Sequence, residues 1–271
     1  VDMSASFVAQ FMIGALANLE TYIAYNILTI LCCASLLPLA LTRVPQPETP
    51  KATRLRPSLA WACSPLGVAA VLVAALSSAS FRMVGPIYGQ EVGLNANQIG
   101  SFLAAFVAGG AIAQYPIGWI ADKYDRRWVM IWLSVAAVVS CGLTVATSGL
   151  GATSILTASF LFGLTTFPIY SVATAHAHDF ATSEQRVELS AALMFFYAVG
   201  AIAAPYVTSV LIAAYGPSAL FYVISAGHVL LVIFGLTRMR VRRAPKDKTR
   251  YVYAPRTSFG IGRLLGRSRD R

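Results

Sequence analysis

The chain has 271 residues, 57% of them hydrophobic and 12% charged, with a formal net charge of +10. Soluble domains carry about 25% charge, so this composition excludes an ordinary water-soluble globule. The positive balance does not point to nucleic acid either: twelve of the 21 Lys and Arg residues lie from Arg238 onward, and the rest, Arg82 apart, sit in short connections between apolar runs.

Apolar segments fall at approximately 3–17, 21–41, 59–88, 99–120, 128–147, 154–175, 191–215 and 217–236. Crossing a bilayer core of about 30 Å takes roughly 20 helical residues. The first segment reads as the latter part of a span, and the other seven are long enough to cross. Lipid offers no partner to backbone N–H and C=O groups, and the runs lack strand alternation. The predicted fold class is therefore all-α, a polytopic membrane helix bundle. The chain opens on Val1 within a helix-like stretch, which leads us to expect a piece of a longer protein.

Between the second and third segments lies a polar linker, 43–58, with Pro45, Pro47, Pro50 and Pro57. With alternating segments, the connections 42–58, 121–127 and 176–190 and the tail carry 4, 3, 1 and 12 basic residues, and the opposite connections carry none. The basic side is expected to be cytoplasmic. Trp61, Trp119, Trp128 and Trp132 fall near it, as an interfacial belt requires. Cys32, Cys33, Cys63 and Cys141 lie in or at the ends of apolar runs and show neither metal nor disulfide spacing. Leu41-Thr42-Arg43 recurs as Leu236-Thr237-Arg238, a short match of the kind a duplicated helix unit leaves. The expected organisation is residues 1–42 as the end of an N-terminal half, 43–58 as a cytoplasmic linker, 59–238 as a C-terminal half of six helices, and 239–271 as a basic, disordered cytoplasmic tail able to touch anionic lipid.

The charged run between the fourth and fifth segments carries the strongest motif. Gly118-x-x-x-Asp122-Lys123-x-Asp125-Arg126-Arg127 resembles the loop signature of the major facilitator superfamily, and Gln114-Tyr115-Pro116-Ile117 before it resembles the YcaD-type branch. Gly200-x-x-x-Ala204-Pro205 is similar to the glycine-proline element of the family's fifth and eleventh helices. The resemblance implies the major facilitator fold, with a complete C-terminal six-helix half plus the last two helices of the N-terminal half. About four helices would precede Val1. It also implies a gating loop at Gly118, Asp122, Lys123, Arg126 and Arg127. Asp122 would sit near a helix N-terminus of the other half, and the basic residues would pair across the same seam when that side is shut. Gly118 would let the backbones approach closely. The family usually has glycine at position 125, and aspartate there is expected to keep the left-handed turn.

Candidate substrate contacts follow from position. In the segment 154–175, interrupted by Pro168, Ser159, Thr166, Tyr170 and Thr174 are expected to form one polar stripe. The resemblance implies that this helix lines the central cavity. Arg82 is the only strongly basic residue within a span. Counted from Trp61 it lies about 32 Å along the helix, near the outer surface. It reads as an interfacial arginine reaching for water or as an outer-gate residue attracting anions. Ser78, with Ser77 and Ser80, sits one to two turns deeper. Gln114 and Tyr197 read as inner-half contacts or as helix-to-helix hydrogen bonds. His228 reads as a packed neutral histidine. His176-x-His178-Asp179 imitates metal spacing, but no metal role and no cofactor is assigned. In the segment 99–120, Gly100, Ala104, Ala108 and Ala105, Gly109, Ala113 have the spacing that permits close helix contact.

These features predict transport of a small, unidentified solute by alternating access in a bacterial inner membrane, with the lipid bilayer and an N-terminal half of the same protein as partners. The competing expectation is a membrane sensor or interaction protein of the same fold that transports nothing. No Gly-x-Ser-x-Gly, no His-Glu-x-x-His and no intramembrane carboxylate pair suggests an enzyme.

Overall fold

The structure, a computed structural model, describes residues 6–10, 12, 16, 20–41 and 55–241. Most of the first apolar segment, most of the linker and the basic tail beyond Val241 lie outside the described residues. Eight helices are labelled here: α1 (Thr21–Leu41), α2 (Pro57–Cys63), α3 (Pro65–Glu91), α4 (Ala96–Lys123), α5 (Arg126–Ala146), α6 (Ala152–His178), α7 (Arg186–Tyr215) and α8 (Ala219–Val241). Among the described residues there is no strand, and the six helices from α3 to α8 are each long and apolar enough to cross a membrane. Tyr22, Tyr25, Ile30, Leu36 and Leu37 on α1 are exposed.

The expected single segment at 59–88 is in fact two helices. Ser64 is extended, at φ −153 and ψ 92, and its Oγ accepts from the N–H of Gly67 at 3.0 Å. Pro65 then stands at the first position of α3. Proline disfavours helical geometry in the residue before it and has no N–H to lose at a helix start, so Ser-Pro ends one helix and caps the next. At the far end of α3, Asn95 caps α4 through a reciprocal pair with Gln98, each bond 2.9 Å long. Gly151 and Gly216 make the two other turns at that end with φ of +97 and +85, which a side chain would resist.

In the bundle α6 packs against α3, α4 and α5, α7 lies on α3, and α8 lies on α3 and α5. The closest approach joins α4 and α6. A Cβ on Gly109 would overlap the carbonyl oxygen of Phe160, and one on Gly163 would overlap that of Phe106. Lipid is as apolar as leucine, so the helices gain nothing by hiding apolar surface from it. Close packing and interhelical hydrogen bonds hold them instead.

Two apolar cores stack along the bundle. The one nearer the charged end gathers Val68, Val71, Met130, Ile169, Leu189 and Leu193. The other is aromatic and includes Phe81, Phe102, Phe106, Phe162 and Phe221, with the Phe81 ring 4.3 Å from that of Phe106. Polar pairs bind α3 to its neighbours at the level between the two cores. Ser80 Oγ and Thr208 Oγ1 lie 3.0 Å apart. Ser77 donates to the carbonyl of Val73, which leaves its oxygen to accept from Nε2 of the buried His228 at 2.9 Å. Such bonds average about 0.6 kcal/mol each in membranes, so they select a register more than they supply stability.

Candidate functional site: a charged knot and a polar face

The charged motif forms where α4 ends and α5 begins. Asp125 does not adopt the left-handed turn expected of it. Its φ of −67 and ψ of 116 are extended, and its Oδ1 accepts from the N–H of Arg127 at 3.0 Å, so it is the N-cap of α5. An aspartate one residue before a helix satisfies an orphan N–H and suits the positive end of the helix dipole, so no glycine-like turn is needed. The Arg127 guanidinium folds back onto the same carboxylate, with Nη2 to Oδ2 at 2.7 Å.

Arg126 points inward and is 3% exposed. Its Nη2 donates to Asp122 Oδ1 at 2.8 Å, one turn back on α4. Its Nη1 donates to Asp179 Oδ1 at 2.5 Å and to the carbonyl of Ala175 at 3.1 Å, both at the end of α6. One guanidinium thus ties three helix ends together. Arg126 and Arg127, expected to pair across a seam with another half, both have carboxylate partners within this bundle. The reason is geometric, since a helix starting at Arg126 aims that side chain at the neighbouring end of α6. Lys123 is exposed, with its Nζ 5.0 Å from the Trp119 ring centre. Asp122 is 34% exposed in its side chain. Gly118 is exposed, and a Cβ there would meet nothing within 4 Å.

Burial works against ionisation of Asp125, but the hydrogen bonds and charge of Arg127 outweigh it and hold the carboxyl below its ordinary 3.8. A depressed carboxylate contributes stability that is complete above the unfolded value and is lost as pH falls through the folded one. The stability gap between wild type and Asp125→Asn is expected to be about 1 kcal/mol or less for this partly exposed pair. It should close as pH drops below about 4. Thermal unfolding at a series of pH values checks this.

The His176-x-His178-Asp179 run disperses. Asp179 takes Arg126, His178 Nε2 lies 3.1 Å from Ser190 Oγ, and His176 sets its ring edge-on to Phe180. Among the described residues no group of three or more His, Cys, Asp or Glu is arranged to hold a metal ion.

The second feature is the free face of α6. The expected stripe Ser159–Thr166–Tyr170–Thr174 divides. Ser159 is buried and donates to the carbonyl of Phe102 on α4 at 2.7 Å, and Thr166 is buried and donates to Phe162 within its own helix at 2.8 Å. Thr166, expected as a substrate contact, is buried in this structure. The spacing does place Ser159 and Thr166 near one side, but both are buried there, Ser159 against α4. The open side carries Phe167, Ser171 and Thr174, with Tyr170 at its edge. Phe167 and Ser171 escaped the sequence reading, although their four-residue spacing was there to be seen.

Residues from three other helices complete this face. Gln114 of α4 accepts from Ser171 Oγ at 3.2 Å, the helix-to-helix bond offered as one alternative. Tyr197 of α7 meets Tyr170 edge-on at 5.2 Å, and the Tyr170 hydroxyl approaches the sulfur of Met194 at 3.5 Å. Arg82 of α3 does not reach away to the outer surface. Its guanidinium lies 5.6 Å above the centre of the Phe167 ring, near the middle of α6. Ser78, half-buried, stands one turn before Arg82 on the same side of α3. Other exposed surfaces differ. On α5 they show Trp132, Val139 and Leu143, and on α8 Tyr222, Leu230 and Ile233. An arginine at mid-bilayer costs about 2.5–3.5 kcal/mol on insertion scales, so a face bearing one is suited to water or protein rather than to lipid.

A family model described as Major Facilitator Superfamily matches residues 66–268. An uncharacterised MFS-type transporter of Enterobacter sp. (strain 638) is 29% identical over 223 residues, covering 82% of this chain and 56% of that protein. The MFS-type transporter YcaD of Escherichia fergusonii is 28% identical over 214 residues, covering 78% of this chain and 55% of its own. A further MFS-type transporter, from Yersinia enterocolitica, is 29% identical over 184 residues, covering 68% and 46%. The chain spans about half the length of these curated relatives.

Proposed function

Because the chain belongs to the Major Facilitator Superfamily, an integral membrane family, we propose that it forms part of a transporter that carries a small solute by alternating access and performs no covalent chemistry. In this reading residues 59–238 are the C-terminal half. Residues 1–42 close the N-terminal half, 43–58 link the two, and 239–271 form a basic tail. The linker, the loop 121–127 and the tail lie on the cytoplasmic side of a bacterial inner membrane. The observation that carries the reading is the contrast between the two kinds of exposed surface. The faces of α5 and α8 are apolar, whereas the free face of α6 presents Arg82, Gln114, Ser171 and Tyr170. A polar face within membrane-length helices supports a solute path between this half and another.

Asp122 is the gate residue in this account. Arg126 holds one of its oxygens, and the partly exposed carboxylate would meet the positive end of a helix in the other half when the cytoplasmic side is closed. Such a contact stabilises one conformer by about 0.3–1 kcal/mol, rising to roughly 2 if partly buried. Lys123 and Gly118 are exposed at the same end of α4. With the full-length protein in proteoliposomes, Asp122→Asn is expected to reduce solute flux about tenfold or more while its amount in the membrane stays normal. A cysteine at Ser171 should react with an impermeant thiol reagent, and one at Val139 should not. Equal flux in Asp122→Asn would remove the gate. A protein that moves no solute, with Ser171→Cys as unreactive as Val139→Cys, would favour the sensor reading.

A further inference from the structure

The free face of α6 holds a cation that nothing in this half neutralises. Among the described residues no ion pair involves Arg82. The acidic side chains of the described residues from α3 to α8, namely Glu91, Asp122, Asp125, Asp179, Glu184 and Glu188, all lie at helix ends or in connections. The Arg82 guanidinium lies over the Phe167 ring, a contact with the ring's π face that uses none of its N–H donors in a hydrogen bond. Those donors match the two oxygens of a carboxylate in a way that a lysine ammonium does not.

The rest of the face narrows the ligand further. Tyr170, Tyr197 and Met194 supply aromatic and thioether surface, and Gln114 accepts from Ser171 through its Oε1. That wall has one charge, a large aromatic and thioether area and, among the described residues, no carboxylate. It suits an apolar or aromatic body bearing one negative group. A cationic solute would meet like charge at Arg82.

We propose that Arg82 is the charge-recognising residue of the solute site, and that the solute is an organic anion: a carboxylate on an apolar or aromatic body. The proposal rests on the transporter reading of this face, but its test is separable from it. The purified full-length protein is titrated calorimetrically with matched sets: benzoate, benzamide and benzylamine, then hexanoate, hexanamide and hexylamine. At least one carboxylate is expected to bind about tenfold or more tightly than its amide, with its amine weaker still. Arg82→Gln should bring that carboxylate down to the level of its amide, and Arg82→Lys should keep part of the preference. Arg82 is exposed, so both variants should retain the ligand-free unfolding midpoint, which is measured alongside.

Absence of binding by every carboxylate overturns the proposal. So does an amide or amine that binds as tightly, or an anion preference that survives Arg82→Gln. Flux in proteoliposomes is read separately. Arginine-dependent carboxylate binding without flux upholds this site and overturns only the transporter reading. Flux of a solute with no preference for negative charge overturns this site alone.

Discussion

Arg126→Leu is expected to destabilise the bundle by about 3–5 kcal/mol, read as a lower midpoint of thermal unfolding for the full-length protein in detergent. The magnitude follows from what the change leaves behind. Asp179 is 2% exposed in its side chain and receives Nη1 of Arg126. Without that partner it is a buried carboxylate with its main counter-charge gone, and the carbonyl of Ala175 loses a donor too. Asp122→Asn should cost far less, about 1 kcal/mol or below, because that carboxylate is a third exposed and solvent screens its pairing. Removing both charges in Arg126→Leu with Asp179→Leu should recover much of the loss, since a buried pair often does no better than apolar groups of similar volume. An Arg126→Leu protein with an unchanged midpoint would show that the three helix ends are not held by this guanidinium. The comparison also separates two roles within one motif. Loss of flux in an Arg126 variant reports a bundle that has come apart, whereas loss in Asp122→Asn at normal protein levels reports a gate.

The spans were legible because lipid imposes a length, and because the basic residues sit almost wholly on one set of connections. The break at Ser64 was not read, although Ser64-Pro65 is a capping pair. The apolar residues on both sides, Ala60 and Cys63 before it and Leu66 and Val68 after it, made one continuous run. In the charged motif the local relations were visible and the distant one was not. Asp125 and Arg127 are two residues apart, and Asp122 and Arg126 four apart, but Arg126 and Asp179 are separated by 53. Only the docking of α6 against α4 and α5 brings the last pair together. Asp179 was read beside His176 and His178 because sequence neighbours were the only company it showed. The stripe on α6 failed for a related reason. Periodicity groups Ser159 with Thr166, but it does not say which side of the helix a neighbour will cover.

Gly163→Ala is expected to cost about 3 kcal/mol, and Gly163→Val to prevent accumulation of folded protein, because the obstacle is backbone rather than a side chain that can swing aside. Gly163 of α6 faces the carbonyl of Phe106, and Gly109 of α4 faces that of Phe160, so each helix offers a glycine to the other's backbone. The sequence reading had half of this pair in the small residues Ala105, Gly109 and Ala113, but the reciprocal half on α6 was missed. A methyl group at 163 must push α4 and α6 apart along their closest contact. Phe167 would move with it, since its ring packs directly on Gly110, the neighbour of Gly109. The platform beneath Arg82 is therefore set by the same approach that binds the two helices. Gly118→Ala and Gly142→Ala are the controls, because a Cβ at either position meets nothing within 4 Å. Both should leave the unfolding midpoint where it is, whereas Gly163→Ala should lower it and weaken anion binding together. A Gly163→Ala protein as stable as wild type would mean that α4 and α6 do not approach so closely. The aromatic platform that positions Arg82 would then need another cause.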